Sequence, residues 1–239
     1  MKSDDLILSF DTATQNCSVA VTRGGFSNGQ VLGSLSFDSG VTHSRRLLSA
    51  IDWLLKSMQL AMSDMSAIAV GLGPGSFTGL RIGMATAKGL VHGAGLSLIG
   101  VSSLDGIGAA VISDRLICVL IDARKKKVYC CFYRRLTGAI AVRCSEAAVL
   151  DPHLLARQIT EPVTMAGDGV RVYSDIFTER LGEQVEIIPW IRYPEATTIG
   201  FLAAVEHSEG RYLDLDRAKP QYIRSSDAQL SLVSPNKTK

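Results

Sequence analysis

Histidine is scarce in this chain, and that scarcity excludes much. His43, His92, His153 and His207 are the four present, and no two stand at the spacing of metal ligands. Cysteine gives no help. The five are odd in number and contain no C-x-x-C pair, so neither a zinc ribbon nor a disulfide framework is proposed. Cys130 and Cys131 are neighbours in an expected strand and so point to opposite faces. The reading is reduced core thiols in a cytoplasmic protein. No apolar run is long enough to span a bilayer, and the opening Met1-Lys2-Ser3-Asp4-Asp5 lacks a basic-then-apolar leader. Neither membrane nor export is expected. Net charge is small too. At +2 it cannot draw nucleic acid by bulk attraction, so any such contact needs a local patch. The remaining 46% hydrophobic and 20% charged content is that of a globular protein.

What the chain does have is a concentration of glycine. An apolar strand, Ile68-Ala69-Val70, runs into Gly71-Leu72-Gly73-Pro74-Gly75-Ser76-Phe77-Thr78-Gly79-Leu80-Arg81-Ile82-Gly83, and a helix with small residues runs out of it. A strand ending in glycines that open a helix presents backbone N–H groups. Three known patterns nevertheless fail. Gly79-Leu80-Arg81 stands where a Walker loop needs Gly-Lys-Ser/Thr. Gly79 comes one residue too late for the dinucleotide fingerprint that Gly73 and Gly75 begin. Pro74 occupies the glycine position of a nucleophile elbow around Ser76. Two readings stay open: an anion site, or a tight turn with close helix packing.

Taken in order, Leu6 to Asp11 and Cys17 to Val21 make a hairpin with a polar tip, and Val31 to Phe37 adds a strand. Leu47, Leu48, Ile51, Leu54, Leu55 and Met58 share a helix face, with Thr42 or Ser44 as cap. Ala67 to Gly71, Leu80 to Val91 and Leu96 to Val101 alternate strand, helix, strand. Ser102-Ser103-Leu104-Asp105 has capping-box spacing and opens a helix through Ala110. The pattern then restarts. Leu116 to Asp122 and Lys127 to Tyr133 form a second hairpin, and a strand through Ile140 to Val142 follows, its start blurred by Gly138. A helix opens at Asp151-Pro152, a strand ends at the Gly167-Asp168-Gly169 turn, and a helix spans Tyr173 to Leu181. A strand at Val185 to Ile188 and a helix from Thr198 to His207 close the set. The order β-β-β-α-β-α-β-α thus occurs twice, which predicts two similar α/β domains, each a mixed sheet with flanking helices. The expected units are 1–110 and 111–224, with a polar, frayed tail at 225–239.

In such a protein ligands bind at the carboxyl ends of strands, where Asp11, Asp122, the Gly73 loop and the Gly167 loop fall. This is the constellation of an ATP-binding actin-like fold. Yet the first tip, Thr12 to Asn16, has no glycine or lysine to cradle phosphate. The second carries Arg124-Lys125-Lys126-Lys127, a charge run that reads as a solvated tip. His43 reads as a surface or interface residue, and nothing proposes a hydrolytic triad.

Several segments together look like the TsaB (YeaZ) family. They are Ile7 to Thr14, Thr42-His43-Ser44-Arg45-Arg46-Leu47-Leu48, Gly73 to Gly83, Ile99 to Leu104, Ile121-Asp122-Ala123-Arg124 and Pro220 to Arg224. The resemblance covers nearly the whole chain and implies two tandem actin-like (RNase H-like) domains. It also implies an accessory subunit in making threonylcarbamoyladenosine on tRNA. The similar catalytic subunit, TsaD, once labelled a glycoprotease, carries a His-x-x-x-His metal pair where this chain has Ser103 and Ile107. A hydroxyl and a butyl group cannot replace two imidazoles. The implied role is a non-catalytic scaffold with no metal or cofactor of its own, ATP and a metal residing in its partners. Those partners are a TsaD-like catalytic subunit and a TsaE-like ATPase, with self-association when alone and tRNA reached indirectly through the complex. The implied interface comprises His43, Leu47, Ile51, Leu54, Leu55, Gly75, Phe77, Leu80, Arg81, Met84 and Ala87. A vestigial nucleotide site would comprise Asp11, Thr12, Gly73, Asp122, Gly167 and Gly169. An ATP-dependent kinase or ATPase is the alternative, and a glycoprotease-like metallopeptidase the third.

Overall fold

A computed structural model describes residues 5–38, 43–135 and 140–223, the side chains of 43–45 excepted. The expected caps Thr42 and Ser44, the side chain of His43, Gly138, Arg224 and the 225–239 tail lie outside the described residues.

The first half runs β1 (Leu6–Asp11), β2 (Asn16–Arg23), β3 (Gln30–Asp38), α1 (His43–Ser57), β4 (Ala67–Gly71), α2 (Phe77–Ala94), β5 (Ser97–Val101) and α3 (Ser103–Ala110). The second runs β6 (Leu116–Asp122), β7 (Val128–Arg135), β8 (Ala141–Arg143), β9 (Ala148–Leu150), α4 (Pro152–Gln158), β10 (Val163–Ala166), α5 (Asp168–Leu181), β11 (Val185–Ile187) and α6 (Ala196–Ser208). The sheets have one plan. Strand order is β3-β2-β1-β4-β5 in the first and β8-β7-β6-β10-β11 in the second, with the short β9, not foreseen from sequence, also on β7. In each, an antiparallel hairpin joins a parallel pair at the first strand. These are two tandem actin-like (RNase H-like) domains.

The helices do not respect the expected boundary at 110. Leu47, Ile51, Leu54, Met84 and Val91, from α1 and α2, cover one face of the first sheet. Its other face, through Ile7, Ala67, Ala69, Ile99 and Val101, is covered by Ile199, Ala203 and Ala204 of α6, at the far end of the chain. In return Leu104 and Ile107 of α3 lie on the second sheet with Ile117, Val119 and Tyr133. Helices α4 and α5 close the opposite face. Each half therefore lends its last helix to the other. Cys130 and Cys131 do part to opposite faces, into two separate cores. All five cysteines are free, and Cys144, against the core-thiol reading, is exposed.

Two helix starts and one cap differ from expectation for local reasons. Helix α2 starts at Phe77 because Ser76 caps it, its Oγ accepting from the Gly79 N–H at 3.3 Å. Helix α5 starts at Asp168, but Tyr173 is non-helical (φ −124°, ψ 20°). That kink breaks the apolar period, so only the second half is legible. Ser102 forms no capping box, because its hydroxyl donates to the Gly73 carbonyl at 3.3 Å instead.

Candidate functional site

The glycine stretch closes down on the tip of the first hairpin. Ser76 N–H donates to the Ala13 carbonyl at 2.6 Å, and Thr12 Oγ1 donates to the Gly79 carbonyl at 2.8 Å. A methyl group on Gly75 would overlap the Ala13 carbonyl oxygen, and one on Gly79 the Thr12 carbonyl oxygen. These glycines exist so that loop and tip can touch backbone to backbone. The space between strand end and helix start is filled by the chain itself. Of the two readings open at the sequence level, close packing is the one the geometry takes.

Asp11 sits beneath this closure, 1% exposed. Its Oδ1 accepts the Ala13 N–H at 2.8 Å and its Oδ2 the Ser103 hydroxyl at 2.6 Å. Burial pushes its pKa up to about 6, against the lowering effect of Ser103 and the Ala13 N–H. Ser103 Oγ also accepts from Gly73 N–H at 3.1 Å, while Ser103 N–H donates to the Gly73 carbonyl at 2.8 Å. Strand β1, the glycine loop and the first turn of α3 are thus tied through one hydroxyl and one carboxylate. Both oxygens of Asp11 are committed, so these residues do not fit a magnesium–phosphate site. Nor do the α3 positions fit a metal: Ser103 is bonded into this knot, and Ile107 is buried hydrocarbon.

The second lobe repeats the placement with different chemistry. Asp122 Oδ1 accepts the Arg124 N–H at 2.9 Å, and Arg124 Nη1 stands 3.7 Å from Oδ2. Asp168 Oδ1 accepts the Asp122 N–H at 3.0 Å. The Asp168 pKa is raised to about 6, first by burial and then by the Asp122 charge. Gly167 turns at φ +109°, where a methyl group would overlap the Leu120 carbonyl oxygen. Gly169 lies close against the backbone of Leu120 to Asp122. The expected nucleotide residues of both lobes are therefore assembled, but as closed strand-to-helix junctions.

The expected interface residues divide. Leu47, Ile51, Leu54, Leu55, Leu80, Met84 and Ala87 are buried in the chain's own core. The excess of apolar residues on α1 is taken up by the first sheet and by α2, so these side chains present no surface. Of the expected residues on the two helices, Phe77 and Arg81 are exposed, and others join them. Leu48 (53% exposed) and Trp53 (57%) stand on α1, and Phe77 (40%), Arg81, Ala85 and Gly89 follow one another at four-residue spacing on α2. Phe77 packs against Tyr222 at 5.3 Å between ring centroids, and the Arg81 guanidinium lies 3.8 Å above the Phe77 ring. Arg81 Nε donates to the Tyr222 hydroxyl at 3.4 Å. The segment bearing Tyr222 is held to the glycine loop by the Gln221 N–H on the Leu72 carbonyl, at 2.8 Å. Trp53, Ala85, Gly89 and Tyr222 are exposed and stand outside the expected interface residues. The signal for Trp53 was its place off the apolar face of α1.

Comparison with known proteins decides the relationship. A family model described as TsaD, tRNA N6-adenosine threonylcarbamoyltransferase, matches residues 39–232. The tRNA threonylcarbamoyladenosine biosynthesis protein TsaB of Escherichia coli is 32% identical, over 93% of this chain and 96% of its own. The chain belongs to the TsaB (YeaZ) family. TsaB of Bacillus subtilis is 27% identical over 97% of this chain and 99% of its own. The solved structure of YeaZ from Pseudomonas aeruginosa superposes with a TM-score of 0.76 at 28% identity, covering 91% of this chain and 99% of that one. Within this TsaB-family fold, no helix among the described residues is long and apolar enough to cross a membrane.

Proposed function

We propose that this chain works in the biosynthesis of threonylcarbamoyladenosine on tRNA, in the cytoplasm, as a non-catalytic scaffold. It binds and activates a TsaD-like catalytic subunit, with a TsaE-like ATPase joining the assembly, and it pairs with itself when alone. The observation that carries the non-catalytic part is the Asp11–Ser103 knot. The position where the catalytic relatives are expected to hold an imidazole carries a hydroxyl bonded to a buried carboxylate, and the loop that could cradle phosphate is packed against its own hairpin. The same closure argues against the kinase or ATPase reading, and the Ser103 and Ile107 pair against the metallopeptidase.

The partner surface is the exposed ridge of α1 and α2. Ala85 and Gly89 leave a shallow track on α2 into which another helix can settle closely, with the Phe77–Arg81–Tyr222 cluster at one end and Trp53 exposed on α1, which packs beside α2. Large exposed aromatics and an arginine beside small residues are the composition of an interface centre. Substituting Ala85→Arg fills the track without touching the core. Capture of the catalytic subunit should fall at least 100-fold, and rescue of threonylcarbamoyl transfer with it, while the melting temperature is unchanged. Undiminished capture by the folded variant would refute this surface.

A further inference from the structure

The second lobe carries a feature that lies apart from the proposed partner ridge. At the tip between β6 and β7, Arg124 (φ 62°), Lys125 (φ 50°) and Lys126 (φ 58°) are three consecutive non-glycine residues in the left-handed region. Turns that need this conformation ordinarily take glycine, asparagine or aspartate. Here three exposed cations take it, held by the Lys127 N–H on the Arg124 carbonyl and the Ala123 N–H on the Lys127 carbonyl, both at 3.0 Å. Lys127 Nζ reaches within 3.9 Å of Asp151 Oδ2, the residue that caps α4. From there a groove of about 430 Å³ runs between α4 and α5, lined by His153, Ala156, Arg157, Ile176, Glu179 and Arg180. Tip and groove form one band. It holds Arg124, Lys125, Lys126, Lys127, Arg157 and Arg180 against Asp122, Asp151, Asp168 and Glu179, a surplus of two positive charges, as large as the net charge of the whole chain.

The band also tells what kind of polyanion it suits. Its aromatic, Tyr173, is half-buried with its hydroxyl turned toward Asp122 at 3.5 Å, so it offers no face for an unpaired base to stack on. Spaced cations without a stacking platform suit phosphates on a regular backbone, the way double-stranded RNA is held by shape and charge. We propose that the basic tip and the α4/α5 groove together dock the phosphate backbone of a double-stranded RNA arm. The contact is made directly by this chain, and not only through its catalytic partner as the sequence suggested. The inference rests on the tRNA reading above, but on a surface in the other lobe from the partner ridge.

The test measures fluorescence anisotropy of labelled tRNA, and of an unrelated RNA hairpin, with the full chain alone and in complex with its catalytic subunit. Salt is varied between 50 and 200 mM, spanning the range over which phosphate contacts weaken steeply. Lys125→Gln/Lys126→Gln and Arg157→Gln/Arg180→Gln should each lose roughly 10-fold in affinity for both RNAs. Each should also flatten the dependence of log K on log salt by about two, one per cation removed. Capture of the catalytic subunit should be unchanged. Wild-type affinity and salt slope in both variants would overturn the proposal, as would absence of RNA binding at low salt. Intact RNA binding with lost partner capture would make the band a protein interface and overturn it equally. Failure of Ala85→Arg to disturb capture, with these RNA effects present, would count against the partner ridge alone.

Discussion

Asp11 is a carboxylate that the fold holds almost wholly buried, 1% exposed. Two donors do not compensate fully for its burial, and its folded pKa of about 6 against an ordinary 3.8 carries a sign. A carboxyl raised by folding contributes stability that is fully present below the unfolded value and lost as pH rises through the folded one. Asp168, also raised to about 6, acts in the same direction. Stability should therefore fall between about pH 4 and pH 6 by roughly 3 kcal/mol for each group, taking about 1.4 kcal/mol per unit. Asp11→Asn removes one of these contributions. The amide oxygen can still accept from Ala13 N–H, and the amide nitrogen can donate to Ser103 Oγ. Urea unfolding should show the variant more stable at pH 7.5 by on the order of 1 kcal/mol, with about half of the wild-type slope between pH 4 and 6. A variant with the wild-type slope would place the titration elsewhere. At this scale the sequence is only half legible. An acid at the end of an apolar strand can be read from six residues. Its bond to Ser103, 92 positions away, cannot, and locally Ser103 reads as part of a capping box.

Among elements, α2 shows why a glycine-rich helix cannot be interpreted from composition. Gly79 and Gly83 face the hairpin, where a methyl group on either would press on Thr12, whereas Gly89 meets nothing within 4 Å. The same substitution should act oppositely at these places. Gly79→Ala forces the Thr12 carbonyl away and should cost more than about 3 kcal/mol. Gly89→Ala trades an exposed helical glycine for a better helix former and should gain about 0.5–1 kcal/mol. Thermal and urea unfolding of the pair check this, and equal effects would mean that the loop does not rest on the hairpin. Helix α1 makes the companion point. Its period marks Leu47, Leu48, Ile51, Leu54, Leu55 and Met58 as one apolar face; all but Leu48, which is 53% exposed, pack on the first core. Periodicity reports that a face is covered, not whether sheet or partner covers it. Leu48, inside the pattern, and Trp53, outside it, are the large apolar side chains that α1 leaves exposed.

At the scale of the molecule, the repeated strand order was legible because every strand but the short β9 announces itself locally by apolar runs and turn residues. The exchange of α3 and α6 was not, since nothing within either helix says which sheet it will cover. That exchange should make the two lobes one folding unit. Ser9 Oγ donates to the Ala196 carbonyl at 2.7 Å and Ser18 Oγ to the Pro194 carbonyl at 3.1 Å, so the first sheet holds the start of α6 by specific bonds. Beyond α6, residues 213–218 lie on the first lobe, with Leu213 N–H on the Leu98 carbonyl at 2.8 Å and Leu213, Leu215 and Ala218 against its core, and Ile223 then packs against the second core. A fragment ending at residue 112 keeps the first sheet but leaves Ile7, Ala67, Ala69, Ile99 and Val101 bare on one face and α3 without its sheet. Neither this fragment nor 113–239 should fold alone. Co-expressed, they should recover a soluble complex that melts cooperatively, because each supplies the helix the other lacks. Uncovered sheet faces of this size drive aggregation, so the single fragments should be found in the insoluble fraction. A first fragment that is monomeric, folded and cooperative by itself would mean that α6 is an ornament on a complete domain, and the duplication would then describe two independent domains.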